Sequence, residues 1–162
     1  MDRAGPIARW MSDDHARLDA LLRRAFATPG AVDLEAYAAF REGLLRHIAM
    51  EEKVLLPEAR RRRGDPFPEA ARLRTDHAAL ATLMVPPPSL QILEGIRRIL
   101  EPHNEIEETE GGLYDAIDRL AGPEAEAFVE RLRAMPRVPV QPHLDDERVR
   151  ARVAVVLRER GL

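Results

Sequence analysis

The chain has 162 residues, of which 45% are apolar and 33% charged, with a formal net charge of −3. That fits one ordinary domain with enough apolar mass for a core, and the charge is too small to draw nucleic acid or an anionic membrane. Cysteine is absent, which excludes disulfide frameworks, thiolate zinc sites, iron–sulfur clusters and thiol catalysis.

The opening MDRAGPIARWMSDD has no apolar signal-peptide region. No run nears the roughly 18 apolar residues of a membrane span, so a cytoplasmic protein is expected. From Pro6 onward, Ile7, Trp10, Met11, His15, Leu18, Leu22 and Phe26 recur at helical spacing, up to the breakers Pro29 and Gly30. Asp33 is an N-cap for a second helix, faced by Leu34, Tyr37, Phe40, Leu44, His47, Ile48, Glu51 and Leu55. Pro57 lies inside that pattern and should loosen its last turns. A third helix starts near Pro68 and stops at Pro86 to Pro88. Ser89 caps a fourth, which Pro102 and the Gly111-Gly112 pair should interrupt. Beyond Gly122 come a short fifth helix, an extended strap from Met135 to Pro142, and a C-terminal segment. In that last segment Val149, Val153 and Val156 favour a helix over the competing alternation.

The predicted fold is all-α: an antiparallel up-down-up-down four-helix bundle over residues 1–122. Residues 123–162 supply the short helix, the proline-rich strap and an amphipathic segment packed on the bundle. The halves of the bundle repeat. DDHARLDALL from Asp13 parallels TDHAALATLM from Thr75, and each is followed one helix later by a histidine with a glutamate four residues on.

That spacing puts His47 and Glu51 on one helix face, and likewise His103 and Glu107. His15, His47, His77 and His103 each fall mid-helix and in register with the apolar stripe. In an antiparallel bundle they meet at one depth, with the two glutamates among them. Buried ionised carboxylates side by side are costly. A pair of cations resolves the cost, two glutamates bridging and two histidines capping each ion. Imidazole and carboxylate without sulfur suit Fe, Mn or Zn. The competing reading is a polar core network of hydrogen-bonded histidines and arginine-paired glutamates.

The pieces DHARLDALL, HIAMEEKVLLP, DHAAL and HNEIEE resemble the hemerythrin-like, or HHE cation-binding, family over roughly residues 8–120. The resemblance implies an oxo- or hydroxo-bridged non-haem di-iron centre that binds dioxygen or a related small molecule. It would place His15 and His47 on one iron, His77 and His103 on the other, and Glu51 and Glu107 between them. Two departures stand out. Where the oxygen carriers have a second histidine one turn from that of the third helix, this chain has Leu73 and Ala81. The second half also reads TEGGLY where the first reads VLLP, so a bulge or break is expected after Glu108, with Tyr114 or Glu110 turned toward the metals. Fewer histidines leave open positions, which favours sensing, or an enzyme acting on peroxide or nitric oxide, over simple carriage. Iron storage or iron sensing is the further alternative. The small-molecule partner would be a gas or peroxide, and a sensing role would call on a second copy of the chain or a separate signalling protein.

Glu52 and Glu108 point about 100° away from the ligand direction and are expected as surface groups or partners of a ligating ring. Asp19, one turn after His15, is a candidate for such a partner. Trp10, Met11, Met50 and Met84 are expected to pack the core. His143 reads as a surface histidine, and Arg60 to Arg63 as the basic end of a helix rather than a nucleic-acid patch.

Overall fold

A computed structural model describes residues 4–162, and among these it contains helices and no strand. The first helix, α1 (Pro6–Ala25), opens with Pro6 in its first turn. Gly5 offers no capping side chain, and Asp118 takes over that role from elsewhere in the chain. Its two carboxylate oxygens accept from the Ile7 and Ala8 N–H groups, each at 2.9 Å. A Cβ at Gly5 would collide with that carboxylate, so the close approach requires glycine.

Helix α2 (Leu34–Met50) is capped as expected, Asp33 accepting from Ala36 N–H at 3.0 Å. It then runs through a π-helical turn, Glu51–Leu55, into α3 (Leu56–Arg63), which ends on Gly64 at φ 89°. The sequence pattern predicts loosening at Pro57, but the widening begins already at Glu51. Proline has no N–H and its ring crowds the carbonyl one turn back. The wider turn accommodates this, with the Leu56 N–H reaching back to Glu51 C=O.

Helix α4 spans Ala70–Leu83, and α5 spans Leu90–Glu108, with Ser89 Oγ accepting from Ile92 N–H at 3.2 Å. Pro102 does not interrupt α5, contrary to expectation. It removes one hydrogen bond from a helix anchored through Leu93, Ile96, Ile99 and His103, all buried, and the packing carries the helix across it. The break comes at Thr109–Gly112, before α6 (Leu113–Ala121). A 3₁₀ turn, Gly122–Glu124, leads to α7 (Ala125–Arg133). The segment after it, residues 135–145, has no regular secondary structure, and α8 (Glu147–Glu159) begins on Asp146, which accepts from Val149 N–H at 2.9 Å. The C-terminal segment is thus a helix. Val153 and Leu157 are buried against α4 and α5, while Val155 faces out.

The core consists of two apolar clusters. One gathers Ile7, Met11, Met50, Leu55, Leu73, Leu113 and Phe128, and the other Leu22, Phe40, Leu44, Leu80, Leu93 and Ile99. Four helices contribute to both clusters or run between them, and each carries a histidine at the crossing. On α1, for example, His15 lies between Met11 and Leu18, and on α4, His77 lies between Leu73 and Leu80. Met11, Met50 and Met84 pack the core as expected, and Trp10 is half-buried beneath the guanidinium of Arg133. No helix among the described residues is long and apolar enough to cross a membrane.

Candidate metal centre

The polar layer between the two clusters is built from the six residues singled out by the sequence. Glu51 and Glu107 are fully buried, at 0% exposure, and His15, His47, His77 and His103 are at most 7% exposed. Two overlapping groups form: His15, His47, Glu51 and Glu107, and Glu51, His77, His103 and Glu107. Within each group the candidate ligand atoms lie within 4.8 Å of one another. The histidines stand in pairs, His15 with His47 at 4.4 Å between ring centroids and His77 with His103 at 5.0 Å.

The two glutamates divide their oxygens between the groups. Glu51 Oε1 lies 3.1 Å from His47 Nε2, and its Oε2 lies 2.8 Å from His77 Nε2. Glu107 Oε2 faces His15 Nε2 at 3.6 Å, while its Oε1 lies against His103 Nε2. Despite these short separations, His77 Nε2, Glu51 Oε2 and Glu107 Oε1 have no partner in hydrogen-bond geometry among the described residues. Buried polar atoms are normally paired. Lone pairs that converge without aligning on one another are what a shared cation requires, so the donor set fits a metal better than a closed hydrogen-bond network.

Every imidazole is held from behind. Nδ1 of His47 lies 2.8 Å from Asp14, that of His77 2.6 Å from Glu52, and that of His103 3.1 Å from Asp76, while that of His15 meets Glu108. A carboxylate there can accept an Nδ1–H, which would leave Nε2, once it carries no proton, as the lone-pair atom facing the centre. The pattern follows the repeat. Within a half, the Asp of the Asp-His pair holds the histidine of the next helix. Between halves, the glutamate after Glu51 or Glu107 holds the other half's Asp-His histidine. Glu52 and Glu108 therefore hold the rings of candidate ligands, His77 and His15. Asp19 does not; it pairs with Arg23 at 2.8 Å on the surface. The signal for the true partners is the repeated Asp-His dipeptide, whose aspartates point across to the neighbouring helix.

Electrostatics match the crowding. Burial pushes the Glu107 carboxyl well above its usual range, and the Glu51 carboxylate adds to this. Burial opposes ionisation of Glu51 too, but His47 and the bonds from its neighbours hold it well below that range. Burial works against a charged His47, yet Glu51 and Asp14 outweigh it and raise its pKa to about 10. His15 is lowered, chiefly by burial.

A further residue completes the layer. Tyr114, fully buried, places its hydroxyl 2.6 Å from Glu51 Oε1, 3.1 Å from His15 Nε2 and 3.2 Å from His47 Nε2, and against Glu107 Oε2. Of the two residues expected near the centre from the TEGGLY insertion, Tyr114 arrives and Glu110 stays exposed. Leu73 is core and Ala81 exposed, so neither adds a ligand beside His77. His143 lies apart, exposed, with Nδ1 3.2 Å from Val85 C=O. The arginine run ends α3, Arg61 and Arg62 both pairing with Glu58.

No curated protein and no solved structure matches the chain. The sequence profile of the Hemerythrin HHE cation binding domain matches residues 7–148, nearly the whole bundle and the strap beyond it. With the buried histidine and glutamate groups lying inside that span, the chain belongs to the hemerythrin HHE cation-binding family.

Proposed function

We propose that this chain is a non-haem di-iron protein that binds or senses dioxygen or a related small molecule at the layer between its two apolar clusters. One observation carries the reading: each of Glu51 and Glu107 offers one oxygen to the His15–His47 group and the other to the His77–His103 group. That arrangement supports a reading in which the two carboxylates would be shared between two cations. His15 and His47 would hold one ion and His77 and His103 the other. Iron bound there would supply redox electrons and open coordination positions.

The chain's own residues do the rest. Asp14, Glu52, Asp76 and Glu108 fix the tautomer and direction of the four rings. The apolar clusters on either side exclude water and give a neutral gas a favourable medium. The clusters also support the up-down-up-down arrangement. Helix α1 passes from the Met11 cluster to the Leu22 cluster, α2 returns, and α4 crosses again in the direction of α1.

Protein loaded anaerobically with ferrous iron and then exposed to air tests the proposal. The expected result is two irons per chain with a new charge-transfer band. Folded protein that takes up no iron would overturn it. A second reading, an enzyme acting on peroxide or nitric oxide, is favoured by Leu73 and Ala81, which add no ligand one turn from His77 and so would leave coordination positions open. A band that decays with peroxide turnover, rather than persisting, would select it.

A further inference from the structure

We infer that Tyr114 is a metal ligand, through its phenolate oxygen, to the ion held by His15 and His47, so that the two metal positions are chemically unequal. The inference rests on the di-iron reading above.

The argument is geometric. With metal–oxygen and metal–nitrogen bonds of about 2.1 Å, neighbouring ligands of an octahedral ion lie about 3.0 Å apart. The Tyr114 hydroxyl lies 3.1, 3.2 and 2.6 Å from His15 Nε2, His47 Nε2 and Glu51 Oε1, and it also meets Glu107 Oε2. It is thus a neighbour of every proposed donor of the first group. None of its hydrogen bonds reaches His77, His103, Glu51 Oε2 or Glu107 Oε1. Such an oxygen could donate its single proton to only one of four partners. Bound to a cation, it needs to donate to none.

The backbone is shaped to deliver it. The turn after α5 places Gly111 at φ 79°, and Gly112 sits so close to the end of α5 that a Cβ would lie 2.5 Å from Ile106 C=O. This folding-back swings the first turn of α6, and Tyr114 with it, beneath the histidines. The first half of the repeat continues instead through the π turn and brings no such side chain.

Coordination breaks the phenolic O–H bond. The electron pair stays on oxygen and enters the metal bond, and the proton leaves to solvent; no redox change is involved. The first ion then has five protein donors and the second four. The exogenous molecule belongs on the second, beside His77 and His103.

The test is resonance Raman spectroscopy of the ferric protein, with iron content measured on the same samples. The only other tyrosine, Tyr37, lies in the opposite apolar cluster and is the control. Excitation in the visible band should enhance phenolate ring vibrations in the unaltered chain and in Tyr37→Phe. In Tyr114→Phe they should vanish while two irons remain bound. Two irons without phenolate vibrations in the unaltered chain would sink this inference and leave the di-iron reading standing. Vibrations lost in Tyr37→Phe and kept in Tyr114→Phe would also overturn it. Failure to bind iron at all would take down both. Should Tyr114→Phe not fold, the unaltered chain and Tyr37→Phe decide between the two tyrosines.

Discussion

Arg160, in the last turn of the chain, donates to Asp76 Oδ1 at 3.0 Å, while the other oxygen of Asp76 holds Nδ1 of His103 at 3.1 Å. The C-terminal helix is therefore tied to the centre through one carboxylate. Arg98 supports the tie, donating to the C=O groups of Arg160 and Gly161 at 3.0 and 3.3 Å. Asp14, its counterpart in the repeat, has no such link among the described residues; its second partner is Arg17, one turn along the same helix. Groups that orient a ligating histidine typically contribute about 10–100-fold to metal affinity. Asp76→Ala should fall in that range. Arg160→Ala should weaken binding in the same direction and by less, because Asp76 keeps its hold on His103. Chelator competition measures both. Equal affinities in Arg160→Ala and the unaltered protein would show that the tail braces the fold without touching the centre.

If Glu51 and Glu107 are shared by the two groups as proposed, variants of the candidate ligands should differ. His47→Ala removes a donor from one group, so the chain should retain up to one metal. Glu107→Ala removes an oxygen from both groups and should lower occupancy at both positions. Metal analysis of each variant, with circular dichroism as a check on helicity, gives the comparison. Full metal content in both would refute the ligand set.

The four histidines and two glutamates of the polar layer are legible in the sequence because such residues are rare in an apolar stripe, and helical spacing alone puts His47 over Glu51 and His103 over Glu107. Their partners are harder to read. Asp14 lies beside His15 in sequence yet serves His47 on another helix, a relation set by interhelical packing that a single strand of residues does not display. Asp19 has the right spacing from His15, but its carboxylate finds Arg23 and solvent. The π turn escapes the sequence for a related reason. Pro57 announces a disturbance, whereas the residues that absorb it lie upstream, at Glu51 and beyond. Pro102 gives the opposite lesson, since a proline in a well-buried helix can be carried by packing on either side.

Metal uptake should release protons. Without a cation, Glu107 keeps its proton well above the usual carboxyl range, and His47 keeps its own up to a pKa of about 10. Both protons must leave for the atoms to become ligands. Because the free protein binds more protons than the loaded one, affinity rises with pH and falls as the solution is acidified. Glu51, whose pKa is depressed, contributes no proton near neutrality. An indicator dye in weak buffer during metal titration should report acidification. A pH-independent affinity across the neutral range would contradict the assignment of these two residues.

The Gly111-Gly112 turn makes a prediction about backbone rather than metal. Gly111 is at φ 79°, and a methyl group there would meet nothing within 4 Å, so Gly111→Ala encounters only conformational strain. A non-glycine residue in that region costs about 1–2 kcal/mol. Gly112 is at φ −70° and ψ −173°, which any residue adopts, but its Cβ would meet three backbone oxygens at 2.5, 2.8 and 2.9 Å. Overpacking costs about 1–3 kcal/mol, and backbone atoms yield less readily than side chains, so Gly112→Ala belongs at the upper end. It should also displace Tyr114, whereas Gly111→Ala should leave Tyr114 in place. Urea unfolding gives the two stabilities. The phenolate vibrations give the position of the ring, and their survival in Gly112→Ala would mean that the turn can open without moving α6.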